Sequence, residues 1–200
     1  MEIQEYRGIR DLVCAEVITD TAEAFECGAP FPVAGVAELS RTTETSSEAH
    51  YYDNVPAVVI DSTGADEVTI IASAIPFDVL AKITGQVYDE ATGMFIEGER
   101  TVKYYAIGYI TKRTDGTEIF VWRLKGKFNV PDSTHASESN GTDANGQEIT
   151  FTGINTNHKF TKISKSAKAI NVDTKVNPVA EATFFETVQT PDTVTATLSA

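Results

Sequence analysis

Three histidines, His50, His135 and His158, are the side chains in this sequence best suited to hold a metal or move a proton near neutrality. They stand in separate polar stretches, and none has a second histidine or a cysteine at a ligand spacing, so no metal site is expected. Neighbouring carboxylates at Asp89 and Glu90, and at Glu97 and Glu99, offer the pair that glycoside cleavage needs. They flank Ala91-Thr92-Gly93, a turn sequence, and with 29 Asp and Glu in 200 residues such pairs arise by chance, so a solvated loop is the better reading. A nucleophile-elbow serine motif, a phosphate loop, a dinucleotide fingerprint and a zinc-protease helix are all missing. The sequence therefore predicts a protein that is not an enzyme and needs no cofactor.

The two cysteines, Cys14 and Cys27, read as small core residues rather than a disulfide. The N-terminal residues lack the basic and apolar regions of a secretion signal, which predicts folding in a reducing cytoplasm. No apolar run approaches the roughly 20 residues that span a bilayer, so membrane insertion is not expected.

Charge is uneven. Residues 1–100 hold 19 Asp and Glu against 5 Lys and Arg, and the whole excess of the net charge of −13 lies there. Such a field repels polyphosphate and disfavours a protein that grips nucleic acid through its backbone. It does not disfavour one that lets DNA pass without adhering.

The elements that would carry these residues are strands. Residues 101–113 and 117–130 are rich in Tyr, Ile, Val, Phe and Trp, and Asp115-Gly116 between them suits a tight turn, which predicts a hairpin. In its second strand Trp122, Leu124, Gly126, Phe128 and Val130 alternate with Arg123, Lys125, Lys127 and Asn129, giving an apolar face and a basic face. Its first strand is apolar on both faces, as expected of a strand covered on both sides by a second sheet or another subunit. Further strands are predicted at 11–19, 32–40, 57–60, 67–72 and 147–154, and one short helix at 76–84 with Pro76 at its start and Gly85 as its cap. Residues 41–56 read as a long loop and residues 131–146 as an exposed one. The stretch after Thr161 reads as an arm containing β-rich segments at 181–188 and 193–198. The fold class is mainly β, with a domain at 1–160 and a C-terminal extension at 161–200 that packs on the domain or on a neighbour.

Three runs carry a resemblance. They are Gly8-Ile9-Arg10-Asp11-Leu12-Val13-Cys14-Ala15, Pro32-Val33-Ala34-Gly35-Val36-Ala37-Glu38-Leu39-Ser40 and Tyr51-Tyr52-Asp53-Asn54-Val55. In order and spacing they resemble the opening of the major tail proteins of long-tailed phages, in the phi13-like group. Lys103-Tyr104-Tyr105-Ala106-Ile107-Gly108-Tyr109 is similar to that family's central strand, and Phe128, Pro131 and Ile149-x-Phe151-Thr152-Gly153 to its closing strands.

The resemblance covers residues 8–155 and carries no catalytic residue. It implies a β-sandwich with a flanking helix, six copies in a ring, and rings stacked into a hollow tube through which DNA leaves a capsid. The implied partners are further copies of the chain, a tape measure protein and a tail terminator, with transiting DNA not specifically bound. The implied location is the virion tail, assembled in the host cytoplasm. Candidate subunit contacts are Glu48, His50, Tyr51, Tyr52 and Asp53 in the long loop, and Arg123, Lys125 and Lys127 on the basic strand face. Two other readings stand beside this one. One is a monomeric carbohydrate or cell-surface binding module using Tyr51, Tyr52 and Tyr88, and the other is the tube of a related injection machine.

Overall fold

The computed structural model describes residues 3–132 and 146–196, so most of the 131–146 loop, with His135, and the last four residues lie outside it. Eleven strands and two helices follow one another as β1 (Tyr6–Asp20), β2 (Phe25–Cys27), β3 (Phe31–Pro32), β4 (Val36–Tyr52), β5 (Val55–Ala72), α1 (Phe77–Thr84), β6 (Val87–Asp89), β7 (Met94–Ile96), β8 (Tyr105–Arg113), β9 (Glu118–Phe128), β10 (Gln147–Gly153), β11 (Ala169–Asp173) and α2 (Glu181–Glu186). The fold is mainly β. One large sheet runs β2-β1-β8-β9-β10-β5-β4, with β3 on β1 and β11 on β9, and β6 and β7 form a separate hairpin.

The predicted central hairpin is β8 and β9, closed by a turn in which Gly116 takes a φ of +89° that a side chain would resist. Pro76 precedes α1 and the left-handed Gly85 caps it, as expected. Two predicted strands, 57–60 and 67–72, are parts of the single strand β5, while the predicted strand 32–40 is interrupted between β3 and β4. The segment 181–188, expected to be extended, instead begins with the short helix α2, whose Phe184 is buried while Phe185 packs beside it. Two adjacent aromatics that reach one core suit a helical turn, because adjacent side chains of a strand point to opposite faces.

The sheet has an apolar core on each face. Leu12, Ile70, Ile107, Val121, Ile149 and Phe151 belong to the first, which α1 closes with Leu80 and Ile83. Ala106, Ile110, Phe120, Trp122 and Leu124 belong to the second, covered by Phe160, Val172 and Phe184 from the C-terminal segment. Alternate residues of β8 thus enter different cores, which accounts for its two apolar faces within one chain and without a neighbouring subunit.

The expected apolar face of β9 is corrected. Tyr105 pairs with Gly126 and Ile107 with Arg123, so two steps on β8 span three on β9. This bulge inverts the alternation. Trp122 and Leu124 face the second core, whereas Phe128 packs in the first against Phe151 at 5.1 Å between ring centres. Gly126 belongs at the bulge because a Cβ there would lie 2.5 Å from the Thr152 carbonyl oxygen.

Cys14 is buried in the first core and Cys27 packs against the second, and both are free thiols. Burial raises both pKa values, Cys27 to about 12 and Cys14 well above the ordinary thiol value. Native protein at pH 8 should therefore take up almost no iodoacetamide over an hour and two equivalents once unfolded. Rapid labelling of either thiol in native protein would contradict this packing.

Candidate assembly surface

The expected long loop at 41–56 is absent as such. β4 and β5 continue their pairing from Val36 and Ala72 out to Tyr52 and Val55, and the connection is only Asp53-Asn54. Both turn residues are left-handed, with φ of +51° and +66°, the geometry of a type I′ turn that matches the twist of a two-stranded ribbon. β10 pairs with β5 only from Asp66 to Ala72, so beyond Asp66 the ribbon has no further strand beside it among the described residues. At about 3.4 Å per residue the outer part, from Thr45 to the turn, extends roughly 30 Å. A compact chain of this size has a radius of gyration of about 16 Å. The arm therefore projects well beyond the body.

Its chemistry is unusual for a free ribbon. Tyr51, Tyr52, Val55, Val58, Val59 and Ile60 are all exposed, Tyr51 at 65% and Val59 at 57%. Tyr52, Val55, Val58 and Ile60 share one face with Glu48 and His50, while Tyr51 and Val59 share the other. An isolated two-stranded ribbon is marginal in water, and this one exposes apolar side chains in both directions. Exposed apolar patches of this kind mark interaction surfaces.

Five of the eight predicted contact residues, Glu48, His50, Tyr51, Tyr52 and Asp53, thus come together on the outer arm. Two of the basic ones do not present a surface. Arg123 is buried, its Nη1 2.9 Å from Asp66 Oδ2 and its Nη2 3.3 Å from the Tyr109 hydroxyl. Lys125 is buried 2.5 Å from Asp20 Oδ2. Lys127 is half-buried and lies over the Tyr104 ring, 4.4 Å from its centre. Buried lysine and arginine must be paired, and here the partners are carboxylates of the same chain.

Those carboxylates were not singled out by sequence reasoning. Asp66, at the root of the arm, takes Arg123, Lys168 Nζ at 3.0 Å, the Thr43 hydroxyl at 3.0 Å and, at 3.8 Å, Arg41. Burial raises its pKa, but Lys168, Thr43 and Arg123 outweigh burial and hold it below the ordinary carboxylate value. Asp20 likewise stays low despite burial, because the amides of Asn157 and His158 and the Lys125 ammonium all donate to it. Long-range charge pairs leave no periodic signal; lysines placed among apolar neighbours on a strand, as Lys125 is, were the available clue.

The remaining candidates stay apart. His50 is on the arm, and His158 stands edge-on to Phe160. Tyr88 is half-buried on β6. The Asp89 carboxylate caps its own turn, accepting from the Ala91 amide and the Thr92 hydroxyl. Among the described residues no three His, Cys, Asp or Glu side chains gather as a metal site would require. No helix among them is long and apolar enough to cross a membrane.

Residues 40–185, a stretch that takes in the projecting arm, the central hairpin and the C-terminal segment as far as Phe185, match the phage tail tube protein family. The chain belongs to that family. No curated protein matches it significantly. As a tail tube protein it is a structural component of a phage tail, built to assemble with itself and with other tail proteins, in a family without enzymatic activity. The two-layered core and the projecting arm of this tail tube chain are features of an assembling part.

Proposed function

We propose that this chain is the repeating subunit of the tube itself, closing into rings of six that stack into a conduit for DNA ejection. The observation that carries the reading is the arm, whose exposed apolar side chains on both faces are suited to being covered by other copies. Glu48, His50, Tyr51, Tyr52 and Asp53 are then subunit or ring contacts. Within the family we place the chain with the phi13-like major tail proteins, on the residues quoted above. The acidic first half supplies a lumen to which DNA does not adhere, a tape measure protein occupies that lumen during assembly in the host cytoplasm, and a terminator caps the tube. The segment 161–200 acts as part of the subunit body.

Shortening the arm in register tests this. Deleting residues 46–49 and 59–62 removes four cross-strand pairs, preserves which side chains face which way, and shortens the arm by about 13 Å. Electron microscopy of concentrated parent protein should show rings or tubes, and the shortened chain should show none while keeping its circular dichroism and its Tm. Tubes from the shortened chain, or a parent that stays monomeric even with the other tail proteins, would overturn the proposal.

A further inference from the structure

The arm carries a charge as well as an apolar surface, and the charge indicates where on a neighbouring copy it lands. Residues 42–64 contain Glu44, Glu48, Asp53 and Asp61 and no Lys or Arg. A partner surface must therefore be apolar and basic. The exposed apolar patch around α1 and the β6–β7 hairpin, with Phe77, Val87, Met94 and Ile96, fails on charge: residues 76–99 hold five carboxylates against Lys82 alone. Arg7 and Lys112 near the exposed Tyr6 are too few, since Glu5 lies beside them and Arg10 is already held by Glu118 and Glu181.

One surface fits. Residues 159–165 form a turn, bridged between Phe160 and Lys165, that carries Lys159, Lys162 and Lys165 with no carboxylate of its own. All three lysines are exposed, and Ile163 among them is 42% exposed. Among the described residues none of the three forms an ion pair; Lys162 Nζ donates to the Val194 carbonyl. The turn is also rigidly mounted. Phe160 is buried in the second core, and Asp192 accepts the amides of Thr161 and Lys162 at 2.9 and 2.8 Å. Even counting Asp192, the turn is net positive.

We infer that the arm of one copy docks on the Lys159–Lys165 turn of a neighbouring copy, Glu44 and Glu48 facing the lysines and Tyr52, Val55 and Val58 of the same face covering Ile163. This rests on the reading of the arm as an assembly element. Complementary potential of this kind fixes register and suppresses wrong partners, since like charges brought together cost several kcal/mol.

Charge reversal tests the pairing in the full chain. The double variant Lys162→Glu and Lys165→Glu should raise the protein concentration needed for tubes by roughly tenfold or more, read by sedimentation and electron microscopy. Glu44→Lys with Glu48→Lys, two carboxylates on one face of the ribbon, should do the same, and the four changes together should restore assembly. All four residues are exposed, so the circular dichroism and Tm of each variant should match the parent. Normal assembly of the lysine variant, or failure of the four changes to restore it, would overturn the docking site. If the lysine variant assembles while the shortened arm does not, only the docking site falls. If both assemble, the arm is not an assembly element and the proposed function falls with it.

Discussion

Asp66→Asn is expected to lower Tm by roughly 10 °C. Among the described residues the carboxylate is the only anion facing Arg123, Lys168 and Arg41 within 4 Å, and its side chain is 6% exposed, so solvent does little to screen the loss. An asparagine of the same shape offers one carbonyl oxygen and one NH₂ group. The NH₂ must point at Lys168 or at Arg123, neither of which can accept a hydrogen bond. Breaking a buried pair by removing one partner costs about 3–5 kcal/mol, and each kcal/mol shifts Tm by about 2–4 °C in a chain of this length. Arg123 Nε already lacks a partner among the described residues, so the guanidinium would keep only the 3.3 Å contact of its Nη2 with the neutral Tyr109 hydroxyl.

The same carboxylate gives the effect a pH dependence. Because its pKa is lower in the folded chain than in the unfolded one, its stabilisation is complete above the unfolded value of about 3.9 and is lost as pH falls through the folded value. The gap in Tm between the parent and Asp66→Asn should be constant from pH 7 to about pH 5 and narrow below about pH 4. A gap that grows on acidification, or a variant within 2 °C of the parent at pH 7, would show that the cluster does not hold the arm's root. Asp20 follows the same sign, so acid should also loosen the chain at Asn157 and His158.

The second large effect is expected from Trp122→Ala. Trp122 is the single tryptophan, fully buried, and its indole N–H donates to the Phe184 carbonyl at 3.3 Å while its ring meets Phe185. Truncating a buried Trp costs about 3–5 kcal/mol. The loss should concentrate at α2, which has no side-chain cap and only six residues. Amides of residues 181–186 should exchange far faster than in the parent, at a temperature where β8 and β9 remain protected. Trp122→Phe keeps most of the packing and should cost less than half as much. Unchanged protection of α2 in the alanine variant would mean that something else fastens it.

The parts of the fold that were legible in the sequence are those with a buried side. β10 and α1 have apolar residues at the period of their backbone, β8 and β9 are dense in β-branched and aromatic residues about a turn sequence, and each was expected within a few residues of where it lies. The arm was misread for a physical reason. Its first strand, Thr-Thr-Glu-Thr-Ser-Ser-Glu, buries neither face in the single chain, so it shows no alternation, and its second strand, Val58-Val59-Ile60, is apolar on both. The remaining signals were the β-propensity of the threonines and an Asp-Asn pair able to turn the chain at positive φ. The bulge in β9 was equally hidden, because Gly126 marks it only once its closeness to Thr152 is known. The contact residues on the arm could be picked out by composition. The fate of Arg123 and Lys125 could not, since their partners Asp66 and Asp20 lie 57 and 105 positions away.

Asp66 joins three distant parts of the chain: Thr43 and Arg41 at the arm's root, Arg123 in the middle of the sheet, and Lys168 in the C-terminal segment, which also reaches the Gly64 carbonyl at 2.5 Å. The arm is consequently a lever with its pivot clamped by charge. The two arm strands run on into the central sheet, and the carboxylate adds a tie to the C-terminal segment, so a sideways load on the tip reaches that segment as well as the sheet.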